Sequence, residues 1–241
     1  MTIIVGPGIT VTAGISINSG AGALPINPVY TIELGTKAPV LGSGAQSPFP
    51  ASGWTSLVSA SADDTNINVT LPFTWKYNNT DYTSFFPNSN YYITFGSGSN
   101  QFNSLSASSP AINKIFFAGT DNSWQRVSSF TSGTDYKRLR WEGTAATSGT
   151  PGSPNMVYEL TFFNPSLTGG NPWLELLVGV QARGNNNVGV ISGLYNPTTK
   201  LADLGPSNRG VTANQSYVME GNNTGTLWTV HTGYYVGGTG Y

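Results

Sequence analysis

The sequence predicts an all-β protein: an antiparallel β-sandwich of jelly-roll or Greek-key winding, preceded by a short hexad-repeat β arm. Three observations predict it. Short apolar runs alternate with period two between Gly, Asn and Pro, and no segment carries a helical period. Only 9% of the 241 residues are charged but 12% are aromatic, so a hydroxyl- and amide-rich surface encloses enough ring area for a packed core. The chain also opens on a six-residue repeat.

The repeat reads Ile3-Ile4-Val5-Gly6-Pro7-Gly8, Ile9-Thr10-Val11-Thr12-Ala13-Gly14 and Ile15-Ser16-Ile17-Asn18-Ser19-Gly20. Alternation places Ile3, Val5, Ile9, Val11, Ile15 and Ile17 on one face of short strands. Each closing Gly allows a sharp turn without steric cost. A solenoid needs roughly three or more stacked coils to bury such a stripe, and each coil takes several hexads. Residues 1–20 are therefore expected to form an oligomerisation or anchoring arm, with these six aliphatics as the interface. A Gly-rich tail that merely alternates is the plainer alternative.

Residues 21–52 are rich in Gly, Ala, Pro and Ser and read as an extended linker laid over a surface, with one strand-like patch at Val29–Leu34. Residues 53–241 form the expected sandwich domain, with 201–241 as C-terminal strands or an extension. Ile67, Val69 and Leu71 alternate inward, and Phe73, Trp75 and Tyr77 continue the pattern past Pro72 to a hairpin tip at Asn78-Asn79. Strands follow at Tyr91–Phe95 and Lys114–Ala118. Arg126–Thr131 and Tyr136–Glu142 flank a Ser132-Gly133-Thr134-Asp135 turn, and Met156–Phe163 and Trp173–Val180 flank Asn164-Pro165. Val188–Ile191 closes the series. The C-terminal region carries two or three more strands.

Composition excludes several functions. A net charge of −1 offers no basic surface for phosphate neutralisation, so no nucleic-acid partner is expected. Arg138 and Arg140 share one strand face, read as solvated. The apolar runs are too short to span a bilayer, so no membrane insertion is expected. There is no cysteine and no visible secretory signal. Zinc sites draw on Cys and clustered His, and His231 is the one histidine, so no metal or cofactor is assigned. Asp63-Asp64 and Asp121-Asn122 fall in loops and are read as turn formers, although loop carboxylates can also hold Ca²⁺. No acidic residue lies near His231 in sequence, and there is no nucleophile elbow, so no catalytic residue is assigned and the chain is not expected to be an enzyme. Glu142, Glu159 and Glu175 lie on separate strands, where pairing with Arg126, Arg138 or Arg140 competes with a glycosidase-type carboxylate pair. Tyr77, Tyr82, Tyr234, Tyr235 and Tyr241 are the candidate contacts for a partner protein or a glycan.

The stretch Leu71–Phe85, running into Ser89–Gly96, resembles the opening of nidogen-like β-sandwich domains, and Tyr136–Glu142, Tyr158–Phe163 and Gly189-Val190-Ile191 follow in their order. The block from Gly53 to Tyr195, about six-tenths of the chain, resembles more closely a module of structural proteins from cyanobacterial and other aquatic tailed phages. Lys114–Phe117, Asp121–Val127 and Glu159–Pro165 carry that likeness. Tyr91 is a departure, standing where nidogen-like domains usually place a turn Gly. The resemblance implies a particle-surface structural module with no catalytic signature. The expectation is thus a virion protein, a capsid decoration or a tail or fibre appendage. It would be a homo-oligomer, with a trimer favoured, alongside other virion proteins. Recognition of host cell-surface glycan is the rival expectation.

Overall fold

The computed structural model describes residues 30–33, 53–102, 105–106, 108–144, 156–181, 191–204, 211–212 and 215–237. The arm residues Ile3, Val5, Ile9, Val11, Ile15 and Ile17, and Tyr241, lie outside them. Among the described residues there is no α-helix. In chain order the strands are β1 (Tyr30–Glu33), β2 (Thr55–Val58), β3 (Ala62–Asp63), β4 (Val69–Tyr77) and β5 (Thr80–Asn88). β6 (Tyr92–Thr94), β7 (Lys114–Gly119), β8 (Ser123–Ser132), β9 (Tyr136–Thr144) and β10 (Met156–Phe163) come next. β11 (Trp173–Gln181), β12 (Ile191–Tyr195), β13 (Lys200–Ala202), β14 (Gln215–Gly221) and β15 (Trp228–Gly237) complete the series.

Every pairing is antiparallel. A nine-stranded sheet runs β1-β15-β14-β11-β10-β9-β8-β2, with β3 also on β8, and a six-stranded sheet runs β13-β12-β7-β6-β5-β4. The two pack face to face as a sandwich. The strand patch in the linker is β1, which pairs with β15 in the register Tyr30↔Gly237 to Glu33↔Tyr234. The C-terminal region is built into the larger sheet, because β14 lies against β11.

Local chemistry explains the hairpins. Asn78 and Asn79 both hold left-handed backbone, at φ 47° and 59°, which closes the two-residue β4–β5 turn. Gly133 supplies φ 51° in the β8–β9 turn. Between β10 and β11 the Asn164 side chain accepts from the Ser166 amide and caps a single 3-10 turn, Pro165–Leu167. Pro72 cannot donate to a ladder. It sits on β4, the edge strand of its sheet, within a register shift between Thr70 and Trp75.

Alternation sends one face of each sheet inward. Val69, Leu71, Trp75 and Tyr77 of β4 meet Leu139, Trp141, Tyr158, Leu160, Phe162, Leu174 and Leu176 of the larger sheet. Trp75 is the centre of this layer. Its ring lies 4.9 Å from Phe162 edge-on, 5.6 Å from Phe95 and 5.7 Å from Trp228, and its Nε1 donates to the Trp173 carbonyl at 3.3 Å. Such aromatic pairs add about 0.5–1.5 kcal/mol each beyond the area they bury.

Tyr91, which precedes β6, and Tyr92, its first residue, point to opposite faces. Tyr91 packs at 5.0 Å on Tyr158 between the sheets, and Tyr92 joins Phe116 and Tyr195 on the other side of the smaller sheet. That second face is covered too, since the Tyr92 hydroxyl donates to the Gln101 carbonyl at 2.8 Å. Tyr91 holds φ 56°, the left-handed conformation a glycine would take at no cost. Full burial of its ring offsets that strain.

Candidate functional site

Arg126, Arg138, Arg140, Glu142, Glu159 and Glu175 of β8–β11 converge on the outward face of the larger sheet. Register sets Arg126 opposite Glu142, Arg140 opposite Glu159 and Arg138 opposite Thr161. Arg126 Nε donates to Glu142 Oε2 at 2.7 Å, Arg140 Nε to Glu142 Oε1 at 2.8 Å and Arg140 Nη1 to Glu159 Oε1 at 2.7 Å. Arg138 Nε donates to Thr161 Oγ1 at 2.7 Å, and its guanidinium lies 3.6 Å from Glu175. Burial works against the Arg140 cation, but Glu159 and Glu142 outweigh it and raise its pKa. Each of the three glutamates identified in the sequence therefore faces an arginine. The solvated face expected for Arg138 and Arg140 is corrected: Arg138 is 0% and Glu175 1% exposed, and Arg140 is nearly buried.

A second cluster forms where two loops meet at one end of the sandwich. One carboxylate oxygen from each of Asp63, Asp64 and Asp121 lies within 4.8 Å of the other two, although Asp121 is distant in sequence. A buried asparagine frame holds the loops. Asn90 Nδ2 donates to Asp64 at 3.0 Å, its Oδ1 accepts from the Asn122 amide at 2.7 Å, and Asn122 Nδ2 donates to the Ala118 and Thr120 carbonyls. Burial, joined by the charges of Asp64 and Asp121, raises the pKa of Asp63 against the lowering pull of the Asp64 amide. Three hard oxygen donors at this spacing are the residues of the described chain that could hold a divalent cation. The expected turn role coexists with this grouping, since Asp63 Oδ1 accepts from the Asp64 amide at 2.9 Å.

The tyrosines separate. Tyr77 corrects an expectation: it is 0% exposed, and its hydroxyl donates to the Lys114 and Tyr195 carbonyls at 3.1 and 3.2 Å, so the ring has no surface for a partner. Its inward parity was legible in the alternation of β4. Tyr82 is half-buried, accepts from Asn113 Nδ2 at 2.8 Å and packs 5.2 Å from Phe95. Tyr234 and Tyr235 are placed by backbone only, in register with Glu33 and Ile32.

Two further groups had no strong signal in the sequence. Lys114 is buried beside Phe116 and Tyr195, donates to the Pro110 and Ile112 carbonyls at 2.6 and 3.2 Å, and has its pKa pulled down to about 8 by burial. His231 Nε2 lies 3.5 Å from Glu220 on the neighbouring strand, and both side chains are exposed. No protein-family model matches the chain, and no curated protein or solved structure matches it at a significant level.

Proposed function

We propose that this chain is a non-enzymatic structural component of a tailed-phage virion, a capsid decoration or a tail or fibre appendage, that assembles through its N-terminal β arm. In this reading a jelly-roll or Greek-key sandwich faces outward, and the arm joins copies into a homo-oligomer, with a trimer favoured. The observation that carries it is the hexad repeat. Six aliphatics on one face of three short strands cannot be sheltered by eighteen residues, and burial gains about 25 cal/mol per Å² of apolar area. Two features of the sandwich support it. The arginines and glutamates of β8–β11 face one another as ion pairs, and most of the described aromatic side chains are used in packing. Glycan recognition, the rival reading, loses Tyr77 as a contact.

The test compares the full chain with a chain lacking residues 1–20, and with a full-length variant in which Ile3, Val5, Ile9, Val11, Ile15 and Ile17 are all serine. Both variants should keep the β-sheet circular dichroism of the parent and lose its oligomeric state. An oligomer that persists unchanged in both would refute the reading.

A further inference from the structure

The polar tips of the core aromatics fall into two groups. Tyr77 donates to the Lys114 and Tyr195 carbonyls, Trp75 donates to the Trp173 carbonyl, and the Tyr217 hydroxyl accepts from the Thr212 amide at 2.8 Å. Four others find no hydrogen-bond partner among the described residues: the hydroxyls of Tyr91 and Tyr158, and the indole Nε1 atoms of Trp124 and Trp141. None of these four side chains is more than 1% exposed. Buried polar atoms in folded proteins are nearly always met, so four orphans in one core call for a common cause.

The four side chains are neighbours. The Tyr91 and Tyr158 rings lie 5.0 Å apart, and Tyr158 stands opposite Trp141 in the β9–β10 register. Trp141 packs edge-on at 5.7 Å against Phe117, whose amide donates to the Tyr91 carbonyl at 3.1 Å. Trp124 stands opposite Gly143 in the β8–β9 register, and Gly143 is where the group closes. A Cβ there would collide with the Tyr91 hydroxyl, the Ser123 carbonyl and Trp124 Cα. The missing side chain thus leaves the Tyr91 hydroxyl its place.

The chemistry of the four atoms selects their guest. Indole nitrogens only donate, which rules out a cation. Burial holds both phenols well above their ordinary pKa, so each keeps a proton to donate. The charge of Glu142 acts on the Tyr91 phenol in the same direction and disfavours an anion. A neutral molecule that accepts and donates hydrogen bonds meets every demand. We propose that ordered water is bound between the two sheets beside Gly143, held by the Tyr91 and Tyr158 hydroxyls and the Trp124 and Trp141 indoles. It ties Tyr91, at the start of β6 in the smaller sheet, to β8, β9 and β10 of the larger one.

Oxygen-17 relaxation dispersion tests this on the full chain, because it counts water molecules held longer than the protein tumbles and is blind to hydroxyl protons. The double variant Tyr91→Phe with Tyr158→Phe keeps both rings and removes both hydroxyls. It should lose the signal of at least one long-lived water. Its thermal midpoint should fall by roughly 2–4 °C or more, the shift expected when a met hydrogen bond is lost from a domain of this size. Tyr77→Phe, which removes a hydroxyl already met by two carbonyls, should lower the midpoint and leave the water count unchanged. An unchanged count in the double variant, or an equal loss in Tyr77→Phe, would overturn the proposal. So would a midpoint that stays level or rises in the double variant, since the hydroxyls would then be bare donors whose removal relieves a cost.

Discussion

Removing the Glu175 carboxylate while keeping its shape, as Glu175→Gln, should destabilise the sandwich by about 3–5 kcal/mol, the usual cost of breaking a buried ion pair from one side. The geometry sets this scale. The Arg138 guanidinium lies 3.6 Å from Glu175, and the two are 0% and 1% exposed. At an effective dielectric near 20, a pair at that distance attracts by about 4–5 kcal/mol. The Thr161 hydroxyl, 2.7 Å from Arg138 Nε, and the Tyr136 ring, 5.5 Å from the guanidinium carbon, cannot replace the lost charge. Taking away both partners is a different perturbation. Arg138→Met with Glu175→Leu leaves no uncompensated ion and should cost far less than the single change, since well-packed apolar replacements of buried pairs are often neutral or stabilising. Urea unfolding of the parent, both single variants and the double variant yields the four stabilities of the cycle. A Glu175→Gln cost below about 1 kcal/mol, the range of a solvated surface pair, would refute the argument that this face is dry.

Two pH experiments probe other sites. The Lys114 amine should titrate near pH 8 by side-chain NMR, and because its usual value is 10.5 the unfolded chain holds the extra proton between those limits. Stability should then rise with pH across that window; titration near 10.5 would contradict the burial of Lys114. Asp63 has the opposite linkage: its folded pKa is raised above 3.8, so its charge costs stability above the folded value and the cost fades as pH falls. In the presence of a chelator, Asp63→Asn should raise the thermal midpoint at pH 7 and gain less near pH 3, and an equal gain at both would remove the explanation by burial and like charge.

The parts of this molecule legible in the sequence are those fixed by neighbouring residues. Period two places Val69, Leu71, Trp75 and Tyr77 on one face; Asn78-Asn79 and Gly133 mark two tight turns, because each supplies left-handed backbone that few residues accept, and Asn164-Pro165 marks the β10–β11 connection through its side-chain cap. Parity also shows that Arg138, Arg140 and Glu142 share a face, and that Arg–Glu pairing is available to them. It cannot show that the face is covered, because alternation distinguishes two sides of a strand but not wet from dry. The Tyr91-Tyr92 pair makes the same point: the two rings take opposite faces, but the burial of Tyr92 depends on a loop folding over it. The meeting of Asp63 and Asp64 with Asp121 depends on tertiary closure of two loops, and no local spacing encodes it.

Static light scattering on the full chain and on the chain without residues 1–20 addresses the assembly reading at its root. The account predicts that the full chain has the mass of a small integer number of 25.4 kDa protomers, three for the favoured trimer, and that the shortened chain is a folded monomer. Equal protomer numbers for the two, or a monomeric full chain at every concentration, would contradict it.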